Sequence, residues 1–180
     1  MKEFGYQPKD DRTIYNTIGM TLVDAFDLLT DMPDNPQRED MRKAYVKKAD
    51  EVMVKKTYFY DDTIALLQTL QNAGVKVGIV STKYRYRIVN TFNEQAGSLP
   101  VDIIVGGEDV TKAKPDPQGL DLIVERFGAD KSDVLYIGDS YIDAETALNS
   151  GVDFAGVTTG STTKEAVSYT HLTLPTNSRV

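Results

Sequence analysis

The first third of the chain carries apolar positions at helical spacing and no strand-like alternation. Leu22, Phe26 and Leu29 recur at intervals of three and four between Thr21 and Thr30, and a longer, charged amphipathic stretch runs from Gln37 to about Lys56. Each pattern predicts a helix with one buried face, and "MPDNP" (32–36) supplies the break between them. Residues 1–57 therefore read as helical only. The texture then changes. Asp61 or Asp62 stands where a helix cap belongs, ahead of a helix carrying Ile64, Leu67 and Leu70 that Gly74 ends. "VKVGIV" (75–80) is short, apolar and β-rich, the pattern of a buried strand. Helix 84–94, strand 101–105, helix 117–127 closed by Gly128, strand 133–137, helix 141–149 closed by Gly151 and strand 153–157 follow. Strands alternating with helices across short links predict an α/β fold, a doubly wound parallel (Rossmann-like) sheet covered on both faces. No internal repeat is visible.

Composition narrows the chemistry. At 180 residues there is room for one core domain and a small appendage. Twenty basic against 27 acidic residues give a net charge of -7, which argues against an electrostatic hold on nucleic acid or an anionic membrane. No apolar run approaches the roughly 18 residues needed to span a bilayer, and no basic-then-apolar leader is seen, so a cytoplasmic protein is expected. Cysteine is absent and His171 is the single histidine. Disulfides, thiol nucleophiles, Cys/His zinc sites and Ser-His-Asp triads are thereby excluded. Carboxylates, hydroxyls and lysines remain.

In sheets of this kind ligands bind at the carboxyl ends of the strands. There "VGIV" runs into Ser81-Thr82-Lys83, the segment after strand 101–105 leads to "AKPDP" with Lys114, and "LYIG" runs into Asp139, with Asp143 four residues on. Taken singly, Ser81 reads as a strand-end cap, Lys114 as a turn lysine before proline, and Asp139 and Asp143 as a helix cap and a solvated acid. Together, a hydroxyl, a lysine and a carboxylate pair suit a phosphate: hydroxyl and helix-start amides grip its oxygens, lysine offsets charge, and carboxylates hold Mg²⁺. Arg85 and Arg87, two apart on a helix, do not share a face, and both read as solvated.

The ordered set of apolar strand then Ser/Thr, Lys-Pro-x-Pro, and apolar strand then Gly-Asp-Ser-x-x-Asp resembles the haloacid dehalogenase superfamily of Mg²⁺-dependent hydrolases, and within it the phosphoglycolate phosphatase group. The likeness covers about residues 3–166, with Ile18–Leu22 matching the start of the first cap helix and "GSTTKEA" (160–166) the final loop. It implies a helical cap over 1–57 and a Rossmann-like core over 58–166. It further implies a phosphatase acting on a small phosphorylated metabolite through a phospho-aspartate intermediate. On this resemblance Ser81 binds the transferring phosphoryl group, with Thr82 and Lys83 beside it, although Lys83 reads equally as a solvated residue at a helix start. Lys114 offsets the charge of nucleophile and phosphate, Asp139 ligates Mg²⁺, and Asp143 supports the metal or its water.

The family's opening motif, Asp-x-Asp-Gly-Thr after a first strand, supplies the nucleophile and the acid/base. It is absent from the 180 residues. "YFYDDT" (58–63) lacks the Gly-Thr turn and flows into a helix, so Asp61 reads as a cap rather than a nucleophile. The expectation is a chain lacking the central first strand and inactive by itself, in which the strands ending at Ser81 and Asp139 either pair with each other or leave a gap. "VSYTHLTLPT" (167–176) resembles the translation of a sequencing-library adapter, so 167–180 reads as non-native. A receiver-like domain is the competing reading, but its acceptor Asp precedes the Ser/Thr and Lys, whereas here the carboxylate motif comes last. A non-catalytic relative that binds phosphate is the third.

Overall fold

Short polar residues set where the helices begin. In the computed structural model, which describes residues 1–157, the Asp10 carboxylate accepts from the Thr13 backbone N–H at 3.0 Å to start α1 (Asp11–Tyr15). Thr21 does the same for Asp24 at 3.2 Å to start α2 (Leu22–Thr30). These side chains satisfy amides that a first helical turn leaves without partners. The "MPDNP" break is a built turn. Asn35, only 1% exposed, donates to the Tyr6 hydroxyl at 2.8 Å and accepts from the Gln37 N–H at 2.8 Å. It leads into α3 (Arg38–Val52), and a 3₁₀ turn over Val54–Lys56 follows.

The βα series is present in the expected order. It comprises α4 (Thr63–Asn72), β1 (Gly78–Val80), α5 (Arg85–Ala96), β2 (Ile103–Val105), α6 (Gln118–Phe127), β3 (Leu135–Gly138), α7 (Tyr141–Ser150) and β4 (Asp153–Gly156). Gly128 and Gly151 close their helices in the left-handed conformation, as the sequence implied. Asp62 occupies the position before α4, but at φ 63° its carboxylate makes no capping bond, so the expected acidic cap is not formed. Turn bonds do that work instead: Thr63 N–H donates to Tyr60 O at 3.2 Å and Leu66 N–H to Asp62 O at 2.8 Å.

The four strands form two separate two-stranded parallel sheets, β1–β2 and β3–β4. The registers align Val80 with Val105 and Ile137 with Ala155. All four strands are short; β2 is buried, with Ile104 and Val105 7% and 2% exposed, but β3 and the approach to β1 are less buried than their apolar sequences implied. Val75 is 48% exposed, Leu135 58% and Ile137 59%. Along β3 the half-buried residues, Tyr136 and Gly138, alternate with exposed ones, the pattern of a strand covered on one face.

Two compact units divide the chain, Met1–Glu108 and a second from Asp109 onward. The first has a core of Phe92, Val101 and Ile104 packed by Phe59, Ile64, Leu67, Val77, Ile79, Ile88 and Val89, with the Phe59 and Phe92 rings 4.7 Å apart. The second buries Leu120, Ile123 and Val124 of α6 and Ile142, Ala144 and Ala147 of α7. The "GSTTKEA" loop and the 167–180 tail lie outside the described residues.

Candidate active site

Within the second unit β3 ends at Gly138 and hands the chain through Asp139 to Ser140, the N-cap of α7. Ser140 and Asp143 form a capping box. The Ser140 hydroxyl accepts from the Asp143 N–H at 3.3 Å, while the Asp143 carboxylate accepts from the Ser140 N–H at 3.2 Å and from its hydroxyl at 2.6 Å. All of this uses Oδ2. Oδ1 accepts from Lys114 Nζ at 2.6 Å and from the Tyr136 hydroxyl at 2.8 Å, and Lys114 Nζ is 3.4 Å from that same hydroxyl. The Lys114 and Asp143 side chains are 14% and 6% exposed.

Burial pushes the Asp143 carboxyl up, but the Lys114 charge and the Lys114, Ser140 and Tyr136 hydrogen bonds outweigh it and hold the group below the ordinary carboxylate value. Tyr136 moves the other way. Burial first, then the charge of Asp143, push its phenol well above the ordinary value, so it remains a donor. Asp139 is exposed and has no hydrogen-bond or ion-pair partner among the described residues. The two carboxylates are thus unequal. Asp143 is saturated by protein donors, and Asp139 is available.

No group of three or more acidic or histidine side chains that could hold a metal occurs among the described residues. Mg²⁺ is commonly held by one or two carboxylates completed by water and substrate oxygens. The free Asp139 carboxylate, a hard oxygen donor, fits as one such ligand. Asp143 has neither oxygen to spare.

In the first unit the chain leaves β1 at Val80 and turns through Ser81, Thr82 and Lys83 into α5. The Ser81 N–H donates to Val105 O at 3.0 Å and extends the β1–β2 ladder, and its hydroxyl accepts from the Lys83 N–H at 3.1 Å. The loop is held from the β2 side. Gly107 N–H donates to Lys83 O at 3.0 Å, and the Glu108 carboxylate accepts from the Arg85 N–H at 2.8 and 3.1 Å. A Cβ on Gly107 would stand 2.6 Å from Thr82 O, so only glycine lets the two segments lie this close. Thr82 and Lys83, together with α2 and α3, line a cavity of about 660 Å³.

Arg87 is not solvated. It is 5% exposed, its Nε donates to Asp50 at 2.8 Å and its Nη2 to Val46 O at 3.2 Å. The guanidinium lies 5.3 Å and 5.4 Å from the Tyr84 and Tyr86 ring centres. Its neighbours on α3 and the two tyrosines replace the water expected from helical spacing alone. The residues that spacing assigned to one site fall into two groups, Ser81–Lys83 in the first unit and Lys114, Asp139 and Asp143 in the second. Tyr136, Ser140, Gly107 and Glu108 were not anticipated. "VGGED" did carry a signal, since paired glycines after a strand mark close backbone approach.

The haloacid dehalogenase-like hydrolase family profile matches residues 1–157. A protein from Bacteroides fragilis described as a haloacid dehalogenase-like hydrolase superposes with a TM-score of 0.88 at 44% identity, over 93% of this chain and 80% of that one. A phosphoglycolate phosphatase of Shigella boydii is 28% identical over 155 residues, covering 86% of this chain and 60% of its own length. The pyrophosphatase PpaX of Listeria monocytogenes is 28% identical over 140 residues, 78% of this chain and 63% of that protein. The chain therefore spans about three-fifths of the curated relatives it matches. With matched motifs, a parallel βα fold and a structural relative at this identity, the chain belongs to the haloacid dehalogenase-like hydrolase family.

Proposed function

We propose that this chain is the phosphate- and metal-binding part of a Mg²⁺-dependent phosphatase that hydrolyses a small phosphomonoester. The carrying observation is the buried Lys114–Asp143–Tyr136 set beside a carboxylate, Asp139, that has no hydrogen-bond or ion-pair partner among the described residues. In this reading 1–57 is the cap and 58–166 the core.

Ser81 donates its hydroxyl to a phosphoryl oxygen, and the amides and side chains of Thr82 and Lys83 lie beside it. Lys114 is fixed in direction by the Asp143 ion pair, so its ammonium offsets the negative charge that accumulates as the ester is attacked. Asp143 acts through Lys114 and Ser140, a positioning role in place of the support for the metal or its water that the resemblance implied. Asp139 is the carboxylate assigned to Mg²⁺, which when bound draws charge from the phosphoryl oxygens. The attacking carboxylate and the acid/base carboxylate are not among the 180 residues, so this reading has them come from an added strand.

The test extends the 180-residue chain at the N-terminus with an opening strand carrying Asp-x-Asp-Gly-Thr. The extended protein hydrolyses 4-nitrophenyl phosphate when Mg²⁺ is supplied, and the 180-residue chain does not. Removal of a nucleophile commonly lowers turnover by about four to six powers of ten. Hydrolysis by the 180-residue chain that disappears in Asp61→Asn overturns this assignment.

A further inference from the structure

The cavity of the first unit carries information about the organic half of the substrate. Its walls come from two helices at regular spacing: Leu22, Ala25, Phe26 and Leu29 on α2, and Met41, Ala44 and Tyr45 on α3. Phe26 and Tyr45 meet edge to face, with ring centres 6.3 Å apart. At about 660 Å³ the space is within the usual size for a small-molecule site, and its lining has the usual character, mostly apolar with a few polar groups.

The charges around it are unevenly committed. Lys9 is paired with Asp31, and Arg87 with Asp50. Glu3 adds a negative charge. Lys83, exposed and with no partner for its ammonium among the described residues, is left to meet an anion, next to Thr82 on the loop that begins at Ser81. A phosphoryl group satisfies Lys83. Apart from the Met1 terminus the remaining lining offers no unpaired cation, and a second anionic group, such as the carboxylate of phosphoglycolate, set against the α2 and α3 walls would be an unpaired charge and strongly disfavoured.

We infer that the cavity between α2, α3 and the Thr82–Lys83 loop takes a phosphomonoester whose organic part is apolar and of aromatic size, with its phosphoryl end at Lys83. This rests on the phosphatase reading above and narrows its substrate class.

Binding to the 180-residue chain, followed by tyrosine fluorescence or calorimetry, tests it without turnover. The probes are 1-naphthyl phosphate, 1-naphthol and 2-phosphoglycolate. Affinity for 1-naphthyl phosphate is expected to exceed that for each of the other two by about tenfold or more. It should fall by a similar factor in Ala44→Trp, which fills the cavity, and in Lys83→Ala, which removes the cation from an exposed position. Far-ultraviolet dichroism checks folding, and Lys83→Ala serves alone if the tryptophan variant does not fold. Phosphoglycolate binding as tightly as the naphthyl ester overturns the inference and leaves the phosphatase reading standing. 1-Naphthol binding as tightly as its phosphate removes phosphate recognition and counts against both. Undetectable binding of the naphthyl ester, or binding that neither variant weakens, overturns the inference.

Discussion

Gly138 and Asp143 are packed so closely that a Cβ on the glycine would run into Asp143 Cβ, with Asp143 Cγ only 2.6 Å away. The last residue of β3 is therefore tied by van der Waals contact to the third residue of α7. Gly138→Ala is expected to push the carboxylate off Lys114 and to cost about 1–3 kcal/mol, the usual range for overpacking. A urea titration of the variant checks the stability loss. An unchanged midpoint would mean that the turn yields easily.

Lys114 and Asp143 form a buried ion pair whose members depend on each other. Lys114→Met leaves a buried carboxylate without its cation and is expected to destabilise by about 3 kcal/mol or more. Asp143→Asn should do similar damage. If the two act as a pair, the double variant loses less than the sum by about 1–3 kcal/mol, measured in a double-mutant cycle. Strict additivity would dissolve the pair.

Arg87 joins α5 to α3 through Asp50 and Val46 O. Arg87→Ala removes hydrogen bonds to a charged group and is expected to cost about 2 kcal/mol. Arg87→Lys should recover little, because an ammonium cannot reach both acceptors and lie against the Tyr84 and Tyr86 rings as the planar guanidinium does. Thermal midpoints of the two variants, measured side by side, decide it.

Asp102 fastens the start of β2 to β1. Its carboxylate accepts from the Val77 N–H at 2.8 Å, its own N–H donates to Val77 O at 2.8 Å, and Lys76 Nζ lies 3.3 Å away. The Val77 bond first, with Lys76 adding to it, holds the carboxyl below its ordinary value. A group whose folded pKa is depressed stabilises the fold above its unfolded pKa, and that contribution fades as pH falls through the folded one. Lowering the pH from about 6 to about 3 should thus narrow the gap in urea midpoint between the parent and Asp102→Asn. A gap that stays constant with pH would remove the carboxylate from the account.

The order of elements was legible because it rests on local signals: apolar spacing, glycine at helix ends and short β-rich runs. Thr21 and Gly128 act as their residue types suggest. Ser81, Lys114, Asp139 and Asp143 were legible as candidates because they follow strands. Their partners were not. The fate of Asp143 depends on Tyr136 and Lys114, seven and 29 residues away in the chain, and helical spacing says nothing of either. Arg87 was misread for the same reason, since what buries it comes largely from α3. The exposure of Leu135 and Ile137 reflects that β3 is covered on one face, that of Tyr136, a tertiary fact that apolar composition alone does not carry.

The capping box at Ser140 has a bearing on redesign. One carboxylate closes a helix with Oδ2 and steadies a lysine with Oδ1, so position 143 answers to folding and to chemistry at once. A library randomised there would lose its members to misfolding before any change in selectivity could be scored. Diversity is better spent on the less buried wall positions, such as Leu22, Ala44 and Tyr45, where side chains can be exchanged without disturbing the helix cap or the lysine.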